Sequence, residues 1–125
     1  MMKETEIIMN LYRKLNSAPL HTFPELGTIS KSSKQGVYII YDDKMQVLHV
    51  GKTNGAKSGL NQRLLNHVRN QSSFSKLYMK GNQIKLRGSA KFRYIEIEDA
   101  RQRSLLEALT AGLLCPSHIG TGEKK

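Results

Sequence analysis

Residues 36–53 read GVYIIYDDKMQVLHVGKT. The run from Gly36 to Tyr41 is β-branched, aromatic and almost continuously apolar, as in a strand buried on both faces. Asp42-Asp43-Lys44 supplies the polar residues of a turn. Gln46 to Val50 reads as a second strand, so residues 36–50 predict a β-hairpin. The stretch closes on Gly51-Lys52-Thr53, the residues that end a nucleotide-gripping P-loop. A P-loop also needs a glycine four residues before its Gly-Lys pair, and that position is Gln46. Val47, Leu48, His49 and Val50 are strand residues and cannot form a nest of exposed backbone N–H groups. Nor does Lys52-Thr53 open a helix at once, because Asn54, Gly55, Ser58 and Gly59 follow. Gly51 therefore reads as the place where a strand ends and a backbone must approach closely.

The pattern changes on either side of the hairpin. Upstream, residues 2–16 place Ile7, Ile8, Leu11, Tyr12 and Leu15 on one helical stripe. Glu4 and Glu6 in the first turn and Arg13 and Lys14 near the end suit the helix dipole. Residues 17–34, with Pro19, Pro24 and Gly27, read as a loop pinned by Leu20, Phe23 and Leu26. Downstream, residues 60–70 predict a helix with Leu60, Leu64 and Val68 on one side. Residues 71–90 suggest one helical turn around Phe74–Met79, a turn at Gly81-Asn82 and a short strand. Residues 91–97 alternate as a third long strand. Asp99 can cap a last helix through Leu114, ended by Pro116, with Leu105, Leu109 and Leu113 as its main stripe. The expected fold class is a small α/β (α+β) sandwich with a central three-stranded mixed or antiparallel sheet flanked by helices, plus an N-terminal helix. The expected organisation is an N-terminal helix and loop over 1–34, one domain over 35–120 and a flexible tail over 121–125.

With 125 residues the chain suits a single core. No apolar run approaches the roughly 18–20 residues of a membrane span. Ile7-Ile8-Met9 is too short for a signal-peptide core. A single cysteine, Cys115, cannot form an internal disulfide, which points to a reducing cytoplasm. The formal net charge is +10, and its placement is the informative part. Residues 31–93 carry 13 basic residues against only Asp42 and Asp43, while the two flanks are close to neutral. Such a footprint fits a polyphosphate partner, whose binding is driven by counterion release. His21, His49, His67, His118 and Cys115 lack the paired spacing of a zinc site.

Arg63 and His67 are four apart and share one helical face beside the Leu60/Leu64 stripe. A guanidinium fork matches two phosphate oxygens and can stabilise charge developing on phosphorus. A solvated helix face satisfies the same spacing. Glu107 shares a face with Ala100, Arg103, Ala111 and Leu114, which is mostly small or apolar company for a carboxylate. A surface ion pair with Arg103 would account for it equally.

Taken in order, Gly36-Val37-Tyr38, His49-Val50-Gly51-Lys52, Arg63 with His67, and Glu107 with Pro116 beyond it resemble the GIY-YIG nuclease family over roughly residues 35–119. The stretch 36–53 is similar to the hairpin of the nuclease module in nucleotide-excision-repair incision proteins. The resemblance implies a metal-dependent DNA endonuclease that hydrolyses phosphodiester bonds. Glu107 would bind a single Mg²⁺ or Mn²⁺ through oxygen, and Arg63 would stabilise charge on phosphorus. Tyr38, with His49 or His67, would position or deprotonate water. Lys52, Lys57, Lys76, Lys80, Lys85, Arg87, Lys91 and Arg93 would hold the backbone of duplex or branched DNA. A lone module of this kind leaves room for a homodimer. Two positions depart from the family pattern. His49 stands where Tyr is usual, and Ile119 occupies the place of an Asn beyond the proline, with His118 beside it as a substitute. These departures give the alternative function: a nucleic-acid-binding module with a degenerate site.

Overall fold

The computed structural model describes residues 2–55, 58–68 and 85–119. The elements run α1 (Glu4–Asn16), β1 (His21–Thr22), β2 (Gly36–Tyr41), β3 (Val47–Lys52), α2 (Leu60–Val68), β4 (Lys91–Glu96) and α3 (Ala100–Leu114). The sheet is antiparallel throughout, with strand order β1-β4-β2-β3. It has four strands where the sequence suggests three. The extra one, β1, is two residues long and lies inside the segment expected to be all loop. Two residues between Pro19 and Pro24 are too few to show alternation. Tertiary pairing makes this strand: His21 lies opposite Phe92, and its ring packs against Phe92 and Tyr94. The short strand expected before residue 90 does not form over 85–90, which turn instead, and the remainder of that segment lies outside the described residues.

Every residue of β2 is buried, as its unbroken apolar run requires. Its alternation feeds two cores. Tyr38 and Ile40 join Phe23, Leu60, Leu64 and Phe92 on one face. Val37, Ile39 and Tyr41 join Ile8, Leu15, Ile95 and Leu106 on the other, under α1 and α3. The helices therefore cover both faces of a sheet whose central strand sees no water.

The last helix starts where expected, with the Asp99 carboxylate accepting from the Gln102 amide. Its buried residues are Arg103, Leu106 and Thr110 rather than the expected leucine stripe. The helix packs on both β3 and α1, so two faces are used. Leu105 and Leu109 are only partly buried against the second core, and Leu113 is 53% exposed. Arg103 does not pair with Glu107 but donates to the Ile97 and Glu98 carbonyls at 3.0 and 2.7 Å. After Leu114, Cys115 takes a left-handed conformation (φ 48°) and its amide bonds Ala111 O. The chain then doubles back along the outer edge of β3. Ser117 N–H donates to Val47 O at 3.1 Å and His118 N–H to Leu48 O at 2.9 Å. No described helix is long and apolar enough to cross a membrane.

Candidate active site

Three local features bring the candidate residues to the β3 edge. The first is the hairpin register, which sets Tyr38 opposite Gly51 and Ile40 opposite His49. The phenol ring lies across Gly51. A Cβ there would meet Tyr38 Oη at 2.3 Å and Cζ at 2.4 Å, so only glycine leaves room for the ring. The second feature is the start of α2. Leu60 N–H donates to Lys34 O and Asn61 N–H to Ser32 O, while the Asn61 side chain accepts from the Lys31 and Ser32 amides. These bonds lock the helix against the loop before β2 and use its first amides, so no phosphate cradle is left there. The third is the return of residues 117–118 along β3, which carries His118 to His49.

The Gly-Lys-Thr motif is thereby divided among different tasks. Gly51 makes room for Tyr38. Thr53 is buried and closes the hairpin: its Oγ1 accepts from the Gly36 amide at 3.0 Å, and its own amide donates to Gly36 O. Lys52 is half-buried, its Nζ 3.5 Å from Asn54 Oδ1 and its charge felt at Glu107.

A cavity of about 340 Å³ opens beside β3. Its polar lining is His49, Arg63, Glu107 and His118, and Ala108, Ala111, Pro116 and Ile119 supply apolar wall. It brings together an arginine from α2, a carboxylate from α3 and a histidine from the edge strand between them. Arg63 Nε is buried and has no hydrogen-bond acceptor among the described residues. Glu107 is half-buried. Burial raises its carboxyl pKa, and the Lys52 and Arg63 charges pull it back only in part. The site thus holds a donor lacking an acceptor next to a carboxylate whose charge is poorly solvated.

Tyr38 and His67 do not line this cavity. They form a buried pair behind it, with Tyr38 Oη 2.5 Å from His67 Nε2. Burial drives the phenol far above its ordinary pKa, and the Arg63 charge and hydrogen bond offset little of this. Burial likewise holds His67 well below its ordinary value, reinforced by His49 and Arg63. The phenol and the imidazole are therefore both neutral, and the His67 tautomer sets which of them donates. His67 sits fully inside the core rather than at its edge. His49 is 8% exposed, with its ring 5.0 Å from His67 and 5.3 Å from His118. Its pKa is lowered to about 3, first by burial and then by His118 and Arg63.

These depressed values have a stability consequence. Both buried rings are neutral in the fold, whereas in the unfolded chain they take protons near pH 6.5. Their contribution is complete above that pH and is lost as pH falls toward the folded value of about 3 for His49. Unfolding stability should fall by at most about 1.4 kcal/mol per pH unit per ring below pH 6.5. Urea titrations at pH 7, 6, 5 and 4 measure this. A flat profile would contradict the buried neutral pair.

The basic candidates divide similarly. Lys57, Lys76 and Lys80 lie outside the described residues. Lys85 is exposed and Lys91 partly so. Arg87 donates to the Pro24 and Gly27 carbonyls, which pins the loop after β1. Arg93 lies opposite Ile39, on the far sheet face from Tyr38. It donates to Asn16 O at the end of α1 and sits 5.3 Å over the Tyr41 ring. Both arginines are thus engaged in the fold. His118, which the sequence offered only as a substitute for the missing Asn, is the side chain whose place against His49 the sequence did not fix. Its signal was available as the polar neighbour of Ile119, but strand-edge pairing beyond a proline leaves no periodicity to read.

Among the described residues no group of three or more His, Cys, Asp and Glu side chains is arranged to hold a metal ion. Glu107 alone suits a hard cation that keeps most of its waters and takes few protein ligands.

No protein-family model matches the chain, and neither does any curated protein. Among solved structures, the chain is similar to the N-terminal GIY-YIG endonuclease domain of UvrC from Thermotoga maritima, bound to its catalytic magnesium. The identity is 22%, the match covers 93% of this chain and 97% of that one, and the TM-score is 0.48.

Proposed function

We propose that this protein is a metal-dependent DNA endonuclease of the GIY-YIG type, hydrolysing phosphodiester bonds in the cavity beside β3. One observation carries the reading: Arg63 and Glu107 line one cavity, and the buried Arg63 Nε has no acceptor among the described residues. A buried donor without a partner is costly. A non-bridging phosphate oxygen is the acceptor that a guanidinium fork matches best. The ordered motifs from Gly36 to Pro116 support the same reading.

Each side chain then has a task. Arg63 binds the phosphate and stabilises charge that develops on it. Glu107 would hold Mg²⁺ or Mn²⁺, which when bound neutralises phosphate charge and acidifies water. His49 presents a neutral imidazole at the cavity wall. Tyr38 and His67 keep α2 and β2 in register behind it, which positions Arg63. Lys52 adds positive charge near Glu107. Lys85 and Lys91, with the sequence-assigned Lys57, Lys76 and Lys80, contact the backbone of duplex or branched DNA without reading bases. The exposed lone Cys115 suits a reducing cytoplasm. Action as a homodimer on both strands belongs to the same proposal.

The test is cleavage of supercoiled, branched and single-stranded DNA by purified protein in Mg²⁺. Arg63→Ala should cut about 100-fold more slowly than wild type, with DNA affinity at low salt little changed. Arg63→Lys should recover only part of the rate, because an ammonium lacks the fork. DNA binding without cleavage by wild type would reject the endonuclease in favour of a degenerate binding module.

A further inference from the structure

The cavity wall carries two imidazoles that meet nitrogen to nitrogen: His118 Nδ1 lies 3.3 Å from His49 Nδ1. Such a contact is a hydrogen bond only when one nitrogen carries hydrogen and the other a lone pair. In two neutral rings the Nε2 atoms then take complementary states. The ring that donates through Nδ1 has a lone pair at Nε2, and the ring that accepts has an Nε2–H. The pair is a short chain with an acceptor at one end and a donor at the other. In the tautomer in which His49 donates through Nδ1, its Nε2 is the lone-pair end. The two rings also differ in burial. His49 is 8% exposed, while His118 is only partly buried on the returning segment.

We propose that His118, paired with His49, is the outer half of a proton relay that carries the proton of the attacking water out of the cavity; this rests on the hydrolytic reading above. The step balances without a further reactant. His49 Nε2 accepts a proton from water as the water oxygen bonds phosphorus. The His49 Nδ1 proton passes to His118 Nδ1, and His118 Nε2 releases its own proton to solvent. Both rings end neutral with their tautomers exchanged. In the reverse passage His118 Nε2 takes a proton from solvent, the Nδ1 proton returns to His49, and the proton on His49 Nε2 passes to the departed oxygen, which resets the pair.

The surroundings favour passage over storage. Arg63 from α2 and Lys52 at the end of β3 place positive charge at this end of the cavity, Glu107 from α3 is the one carboxylate among the described residues lining it, and Tyr38 and His67 back it as a neutral pair. A lasting imidazolium beside Arg63 is disfavoured, whereas a relay through neutral rings is not. The alternative carrier, His67, has its Nε2 engaged by the Tyr38 hydroxyl.

The test is DNA cleavage by wild type and by His118→Asn at fixed pH and ionic strength, across a range of imidazole concentrations. Asparagine keeps a polar partner for His49 but cannot pass a proton. His118→Asn should lower kcat by about 100-fold at low imidazole with KM unchanged, and added imidazole should restore most of the rate. Wild type should not respond to imidazole. Equal rates for the two proteins, or a slow variant that imidazole does not rescue, would overturn the relay while leaving the endonuclease standing. No cleavage by wild type in any buffer would sink the endonuclease, and the relay with it.

Discussion

Glu107→Gln is expected to lower DNA cleavage by on the order of 1,000-fold while leaving the protein at least as stable as wild type. The two halves of this result have one physical origin. Glu107 is half-buried, and burial outweighs the Lys52 and Arg63 charges in setting its pKa, so the folded state holds a carboxylate that water would solvate better. Because the folded pKa is raised, this group favours folding at low pH and costs stability as pH rises through its titration. Glutamine has nearly the same shape and carries no charge, so the substitution removes that cost. It also removes the only carboxylate among the described residues that line the cavity. A hard divalent cation bound through few protein ligands depends heavily on each of them. Activity measured against Mg²⁺ and Mn²⁺ concentration, beside urea unfolding of both proteins at pH 7, reads the two effects separately. Undiminished cleavage by Glu107→Gln would remove Glu107 from the chemistry. A large loss of stability with proportionate loss of activity would make it a structural residue.

The hairpin was legible because its signal is local. A fully apolar run, an Asp-Asp turn and a second strand ending in glycine require no distant partner to interpret. Apolar stripes made α1 and α2 legible for the same reason, and the acceptor at Asp99 marked the start of α3. What failed was whatever depends on contacts remote in sequence. The strand β1 exists because His21 meets Phe92, and nothing within residues 17–34 announces it. The inward face of α3 was misjudged because a helix wedged between β3 and α1 buries two faces, which blurs a single stripe. The site shows the same division. Motif order brings Arg63, Glu107 and His49 to one cavity. Motif order cannot tell that Tyr38 and His67 face each other behind it, nor that the segment after Pro116 returns along β3 with His118. Arg87 and Arg93 count as positive charge in the sequence, but carbonyl acceptors and the Tyr41 ring occupy them in the fold.

Gly51→Ala is expected to cost about 3 kcal/mol of stability, at the upper end for overpacking a core, and to disable cleavage in the molecules that still fold. The added methyl would fall 2.3 Å from Tyr38 Oη, 2.4 Å from Cζ and 2.9 Å from a ring carbon. Tyr38 cannot swing away cheaply, because it is completely buried and its hydroxyl is held by His67. Nor can β3 retreat, since it is paired with β2 on one side and with residues 117–118 on the other. Displacing the ring breaks the Tyr38–His67 bond, loosens α2 and moves Arg63 at the cavity. If the phenol ring is the obstacle, the two sites must couple, and Gly51→Ala should cost less than about 1 kcal/mol in a Tyr38→Leu background. Urea midpoints of the four proteins in this cycle provide the coupling energy. Additive costs would show that the glycine is needed for its backbone rather than for the ring above it. The tyrosine of the first motif and the glycine of the second would then no longer be two halves of one packing unit.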